Sequence, residues 1–277
     1  MMTTIKEQTK ELWLSTFDDT VEFVDFYFDE IYADKINYTI QDNGRVISAL
    51  QTIPFDFKVG NKLLKTAYLS GVCTDKLHRN CGFMGKLMRH THDDLFDKGI
   101  DAIFLIPAEP YLFDVYAKYG YKTAFYKAYS SISVDMLQVK DYSLKISELD
   151  TSSFDLAYSY LYKKQLQQPS GIIFGERYFH SVIKAFLLEK NKIFVVEKAN
   201  EIVGISFVTL TGKLLLLFAE NDDIRQTFLR HIADSIGQNT LSIKSNIKGE
   251  RYGMMLFNTT NHLVPTDNPF VTLLLDE

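Results

Sequence analysis

Cysteine, proline and tryptophan are scarce in this 277-residue chain: two, six and one. Two cysteines cannot build a disulfide framework, and Cys73-x7-Cys81 is not the Cys-x2-4-Cys spacing of structural zinc. His78, His90 and His92 are near in sequence. A strand end at Cys73, a loop at Cys81 and a polar helix side for His90 and His92 would scatter them, so no metal is expected. Long hydrophobic runs are missing as well. No stretch approaches the roughly 18 apolar residues of a membrane span, and the polar start from Met1 to Lys10 has no signal-peptide core. A cytoplasmic protein with no membrane partner is expected. Positive charge is not in excess: 30 Lys and Arg against 35 Asp and Glu give a net charge of −5, which argues against nucleic acid as a partner. The hydrophobic fraction, 46%, and the charged fraction, 23%, are those of a globular protein long enough for two modest domains.

The informative stretch runs from Leu63 to Leu95. An apolar strand ends at Val72-Cys73-Thr74, a loop follows, and Met84, Leu87, Met88, Thr91 and Leu95 then repeat at the spacing of an amphipathic helix. Arg79-x-x-Gly82-x-x-Gly85 lies between them. Unpaired amides and the helix dipole make a helix start a site for an anion, a glycine lets the anion reach the backbone, and Arg79 adds a charged fork. The pattern is neither a Walker loop nor the Gly-x-Gly-x-x-Gly fingerprint. Downstream, a short strand from Asp101 to Ile106 leads through Pro107-Ala108-Glu109-Pro110 to a short helix ending at Gly120-Tyr121, where Gly120 suits a left-handed cap.

The loop resembles motif A of the GCN5-related N-acetyltransferase (GNAT) superfamily, Gln/Arg-x-x-Gly-x-Gly/Ala. Met84 stands where Gly or Ala is usual, and the second glycine comes one residue late. The tail from Tyr111 to Tyr121 resembles the superfamily's later signature. Together they look most like the enhanced-intracellular-survival type, whose members acetylate amines such as aminoglycosides. The resemblance implies a mixed, mostly antiparallel α/β sheet flanked by helices. It implies that acetyl-CoA is held by Val72, Cys73, Thr74, Arg79, Asn80, Cys81, Gly82, Phe83, Met84 and Gly85. It also implies transfer of an acetyl group to a primary amine of a small molecule or peptide, with Tyr116 protonating the departing thiolate. Tyr116 equally suits packing, on the apolar face of its helix with Leu112, Val115 and Tyr119. Glu109 and Asp56 are candidates for the base, and neither identifies itself. In the survival-type enzymes the C-terminal carboxylate takes that role from a third, sterol-carrier-like domain, for which this length leaves no room. Leu273 to Glu277 is therefore not assigned to the site. A non-catalytic acyl-CoA-binding or scaffolding module is the alternative reading.

From Glu11 to Asp34 there are eight acids and no Lys or Arg, with seven aromatic rings interleaved. On a helix Asp18, Glu22, Asp25 and Asp29 would share a stripe and repel one another. By resemblance this region forms an acceptor wall, suited to a cationic amine. The pattern equally fits a solvated face or a contact in a homo-oligomer. Strands from Ile36 to Gln41, Arg45 to Lys58 and Lys62 to Thr74, joined by Asn43-Gly44 and Gly60-Asn61, form an antiparallel meander. After Asp141 the order of elements begins again, ending in a helix from Asp223 to Ile236 and a strand from Leu241 to Ile247. The chain is read as a GNAT domain at residues 1–138 and a diverged GNAT-like copy at 139–277. In the copy, Asn221-Asp222-Asp223 replaces the loop and would repel a pyrophosphate.

Overall fold

The computed structural model describes residues 3–258, 269–271 and 273. Contacts divide them into two units: residues 3–124 with 252–258, and residues 125–251 with 269–271 and 273.

The first unit opens with helix α1 (Ile5–Leu14). The Thr4 hydroxyl accepts the Glu7 N–H while the Glu7 carboxylate accepts the Thr4 N–H, a reciprocal cap. Helix α2 (Val21–Glu30) starts from Thr20, whose hydroxyl accepts the Phe23 N–H. The acidic window is thus broken at residues 15–20, and Asp18 falls outside the stripe expected for it. Lysines of α1 answer part of the remaining repulsion: Asp25 meets Lys10 at 2.6 Å and Asp29 meets Lys6 at 3.3 Å. Trp13, Tyr27 and Phe28 turn inward and are buried. These rings are core, as their helical spacing allows.

Three strands follow as the expected meander, β1 (Asn37–Asp42), β2 (Arg45–Val59) and β3 (Lys62–Thr74). Helix α3 (Phe83–Asp97) then crosses to β4 (Ala102–Leu105), and α4 (Leu112–Ala117) leads to β5 (Lys122–Ser133). β3 and β4 are parallel and pair from Thr66↔Ala102 to Tyr68↔Phe104. β3 continues to Thr74 on β2 alone. Past Tyr68, therefore, the two parallel strands part. Leu87, Met88 and Leu95 of α3 pack on Leu50, Leu69 and Ile103 of the sheet.

The second unit holds the rest of β5, then β6 (Lys145–Glu148), α5 (Phe154–Gln167), β7 (Ser170–Ile173) and α6 (Glu176–Leu188). β8 (Lys192–Lys198), β9 (Glu201–Val208), β10 (Lys213–Ala219), α7 (Asp222–Ile236) and β11 (Thr240–Phe257) complete it. β6, β8, β9 and β10 pair antiparallel in that order, and β10 pairs parallel with β11 across α7. The first unit makes the same kind of step from β3 through α3 to β4.

β11 runs well past Ile247, where the expected strand ended. Met254 to Phe257 pair antiparallel with Leu105 to Ala102 of β4, inside the first unit. Gly249, Glu250, Arg251 and Gly253 hide this extension by interrupting the apolar alternation. The chain accordingly changes unit within β5 and returns at Tyr252, rather than being cut once between 138 and 139. Among the described residues no helix is long and apolar enough to cross a membrane.

Candidate functional site

The site begins at an irregularity in the β2–β3 ladder. Ala49 pairs with Cys73 and Gln51 with Ser70, which leaves Gly71 and Val72 opposite Leu50 alone. This is a β-bulge, which bends and twists the strand that carries it. Gly71 has φ of +61°, and a Cβ there would lie 2.2 Å from a Trp13 ring carbon, so both the backbone and the space demand glycine. An isolated glycine inside a strand was the available signal. Within the bulge Val72 packs on the α3 side of the sheet, while Cys73 beyond it packs with Leu12, Val46 and Ala49. Burial pushes the Cys73 thiol up to about 12, so it is no thiolate at neutral pH. What Cys73 offers a ligand is its backbone.

The loop after Thr74 is held by its own side chains. The Asp75 carboxylate accepts the Leu77 N–H at 3.0 Å and the His78 Nδ1–H at 2.7 Å. The bond from His78 is the main cause that lowers the Asp75 carboxyl. Arg79 is exposed and donates Nε–H to the Thr74 carbonyl at 3.2 Å, which ties the guanidinium to the end of β3. Cys81 is exposed, with Sγ 3.5 Å from the Arg79 carbonyl. Asn80 and Gly82, with φ of +63° and +80°, turn the chain into α3. Among the described α-helices only α3 has neither a side-chain cap nor an acid in its first turn. Its first amides and the dipole are left for an external anion beside Arg79. α7 is its opposite. There Asn221 accepts the Ile224 N–H at 3.0 Å, and Asp222 and Asp223 fill the first turn.

Met84 and Gly85, where the sequence departs from motif A, both turn toward packing. Met84 packs against the core under α3. Gly85 is buried, and a Cβ on it would lie 2.6 Å from the Tyr119 hydroxyl. Its missing side chain makes room for Tyr119, a use that the loop motif did not suggest. Phe83 is half-buried with its ring 6.0 Å from His78.

Tyr116 on α4 is buried in the same cluster that Val72 and Met84 pack against. Its hydroxyl has no hydrogen-bond partner among the described residues, and burial pushes it up to about 12. It is protonated at neutral pH and free to donate. The Tyr121 ring stands edge-on to it, with ring centroids 6.1 Å apart. The Tyr121 hydroxyl in turn shares a hydrogen bond with His92 Nε2 at 2.9 Å. His92 is therefore not on the polar side of α3, where it was expected. It follows Met88 by four residues and shares the buried stripe, and burial lowers it to about 4. It is neutral at neutral pH.

Of the candidate bases, Asp56 is carried away from this cluster. Asp56 pairs with Lys65 at the far end of the hairpin, about 27 Å along β2 from Ser48 at roughly 3.4 Å per residue. Glu109 is exposed in the turn before α4. Glu277 lies outside the described residues.

A family model described as an acetyltransferase (GNAT) domain matches residues 3–124. No curated protein matches the sequence. Among solved structures, a protein of unknown function from Enterococcus faecalis V583, a probable N-acyltransferase, superposes with a TM-score of 0.77 at 14% identity, covering 91% of this chain and 70% of that one. A GCN5-related N-acetyltransferase from Anabaena variabilis superposes with 0.75 at 16% identity, covering 90% and 69%. Eis1 from Mycobacterium abscessus superposes with 0.68 at 11% identity, covering 91% and 70%. At these identities the likeness is one of fold.

Proposed function

We infer from the acetyltransferase (GNAT) domain that this chain carries over residues 3–124 that the protein transfers an acetyl group from acetyl-CoA to a primary amine. The observation that carries the reading is the start of α3. It is uncapped and free of acids, and it stands behind left-handed Asn80 and Gly82 where β3 has parted from β4. In this reading the amides of Phe83 and Met84, with Arg79, hold the pyrophosphate. The backbone of Val72, Cys73 and Thr74, beyond the last residue of β3 that pairs with β4, aligns the pantetheine arm. Gly85 supports the cradle from beneath through its contact with Tyr119.

Direct attack by the amine forms the amide bond and breaks the carbon–sulfur bond, so the sulfur must gain a proton and the nitrogen must lose one. Tyr116 supplies the first, from a hydroxyl that burial keeps protonated. The second passes to water. We read the second unit as a diverged copy of the fold: it repeats the order of elements and the parallel step, and the acids at the start of α7 remove the anion site.

Tyr116→Phe tests the chemistry. Turnover on an amine panel should fall by roughly a hundredfold or more, as for loss of a general acid, with calorimetric affinity for acetyl-CoA unchanged. Unchanged turnover refutes the donor role. Wild-type protein that binds acetyl-CoA and acetylates no amine points instead to a non-catalytic acyl-CoA-binding module.

A further inference from the structure

The first turns of α5 and α6, within the second unit, bring three ligand-type side chains together. Asp155 stands at the start of α5, and Glu176 opens α6 with His180 one turn later on the same face. One oxygen of each carboxylate and a ring nitrogen of His180 all lie within 4.8 Å of one another. His180 Nε2 is 3.9 Å from Asp155 Oδ1, too far for a hydrogen bond. That nitrogen is shielded from solvent and has no hydrogen-bond partner among the described residues. The rings of Phe154 and Phe179, at 5.9 and 6.1 Å, hold the imidazole in place. Its direction is therefore set by packing and not by the carboxylates. A shielded nitrogen without a partner is costly, and two carboxylates this close repel each other. A cation between the three would relieve both.

We propose that Asp155, Glu176 and His180 bind a divalent transition-metal ion of the zinc class, which ties the start of α5 to the start of α6. One imidazole with two carboxylates suits zinc or manganese better than calcium, which takes oxygen ligands throughout. Ligand atoms at about 2.0–2.2 Å from zinc stand roughly 3.4 Å apart in a tetrahedron. The carboxylates must therefore close in by about 1 Å. Their exposure allows it, since the Asp155 side chain is 87% accessible, and water completes the coordination. This ion is unrelated to the acyl-transfer reading. It also departs from the absence of metal expected of the sequence, which weighed the cysteines and histidines between Cys73 and His92.

The full-length protein, stripped with a chelator, would be titrated with Co2+ by visible absorption and with Zn2+ by calorimetry and melting temperature. Asp155→Asn and Glu176→Gln change exposed side chains and should fold normally, which circular dichroism checks. Wild type should bind one equivalent and melt at a higher temperature with metal, and each variant should bind at least tenfold more weakly. Equal binding by wild type and variants would place the ion elsewhere and overturn the proposal. So would no binding by wild type at micromolar metal, which would leave His180 as an ordinary partner of the two acids.

Discussion

Gly82 separates the conformational demand of the loop from its chemistry. It caps α3 at φ of +80° and ψ of 4°, and a Cβ built on it meets nothing within 4 Å. Gly82→Ala therefore introduces backbone strain without a clash, about 1–2 kcal/mol for a left-handed non-glycine residue. At about 2–4 °C per kcal/mol for a domain of this size, the melting temperature should fall by roughly 2–8 °C. Gly82→Asn should cost less, because asparagine tolerates that conformation. Gly82→Asp should fold too, yet it sets a carboxylate at the mouth of the first-turn amides. With acetyl-CoA at about a hundred times its dissociation constant, wild type should gain about 2.7 kcal/mol, or roughly 5–11 °C. The Asp variant should gain almost nothing. Melting curves of the four proteins with and without acetyl-CoA, backed by calorimetry, decide the matter. An Ala variant that melts like wild type would refute the conformational argument. An Asp variant that responds fully to acetyl-CoA would refute the placement of the anion at α3.

Gly85→Ala sets a methyl 2.6 Å from the Tyr119 hydroxyl and should cost about 1–3 kcal/mol in chemical denaturation. Adding Tyr119→Phe should restore part of that loss, and strictly additive effects would contradict the contact. Gly71→Ala, 2.2 Å from the Trp13 ring with a left-handed backbone, should be the most damaging glycine change in the first unit, measurable by melting temperature and soluble yield. A Gly71→Ala protein as stable as wild type would remove the bulge argument. His92 has a folded value of about 4, below its ordinary 6.5, so its neutral form is favoured by folding. The stability that this carries is complete above about pH 6.5 and is lost as pH falls toward 4. Between pH 6.5 and 5, wild type should lose roughly 1–2 kcal/mol more than His92→Gln. Parallel pH dependence of the two proteins in urea denaturation would show that His92 does not titrate as a buried group.

Much of the architecture is legible because its signals are local. The Asn43-Gly44 hairpin, the apolar stripe of α3 and the turn at Gly120 are each written in a few adjacent residues and appear where they were expected. The turn into α3 is legible for the same reason: Gly82 stands immediately before the apolar stripe and adopts the left-handed conformation that a glycine permits. The acids at Asp222 and Asp223 likewise fill the first turn of α7, as their sequence position implies.

What the sequence by itself determined is thus most of the order of elements, with β7 missed, and the contrast between an acid-free, glycine-led start of α3 and an acidic start of α7. Tertiary structure alone decided the rest. Gly71 and Gly85 look like any glycine until Trp13 and Tyr119 approach them. His92 and Tyr121 become partners only when α3 meets the start of β5, and Asp155 joins His180 only when α5 meets α6. The return of Met254 to Phe257 to β4 is invisible in a linear reading, because the strand that holds the segment lies far earlier in the chain. Helical and strand periodicity register which face a residue presents, whereas a neighbour's identity depends on contacts between segments far apart in sequence, which become particular pairs only when the core closes.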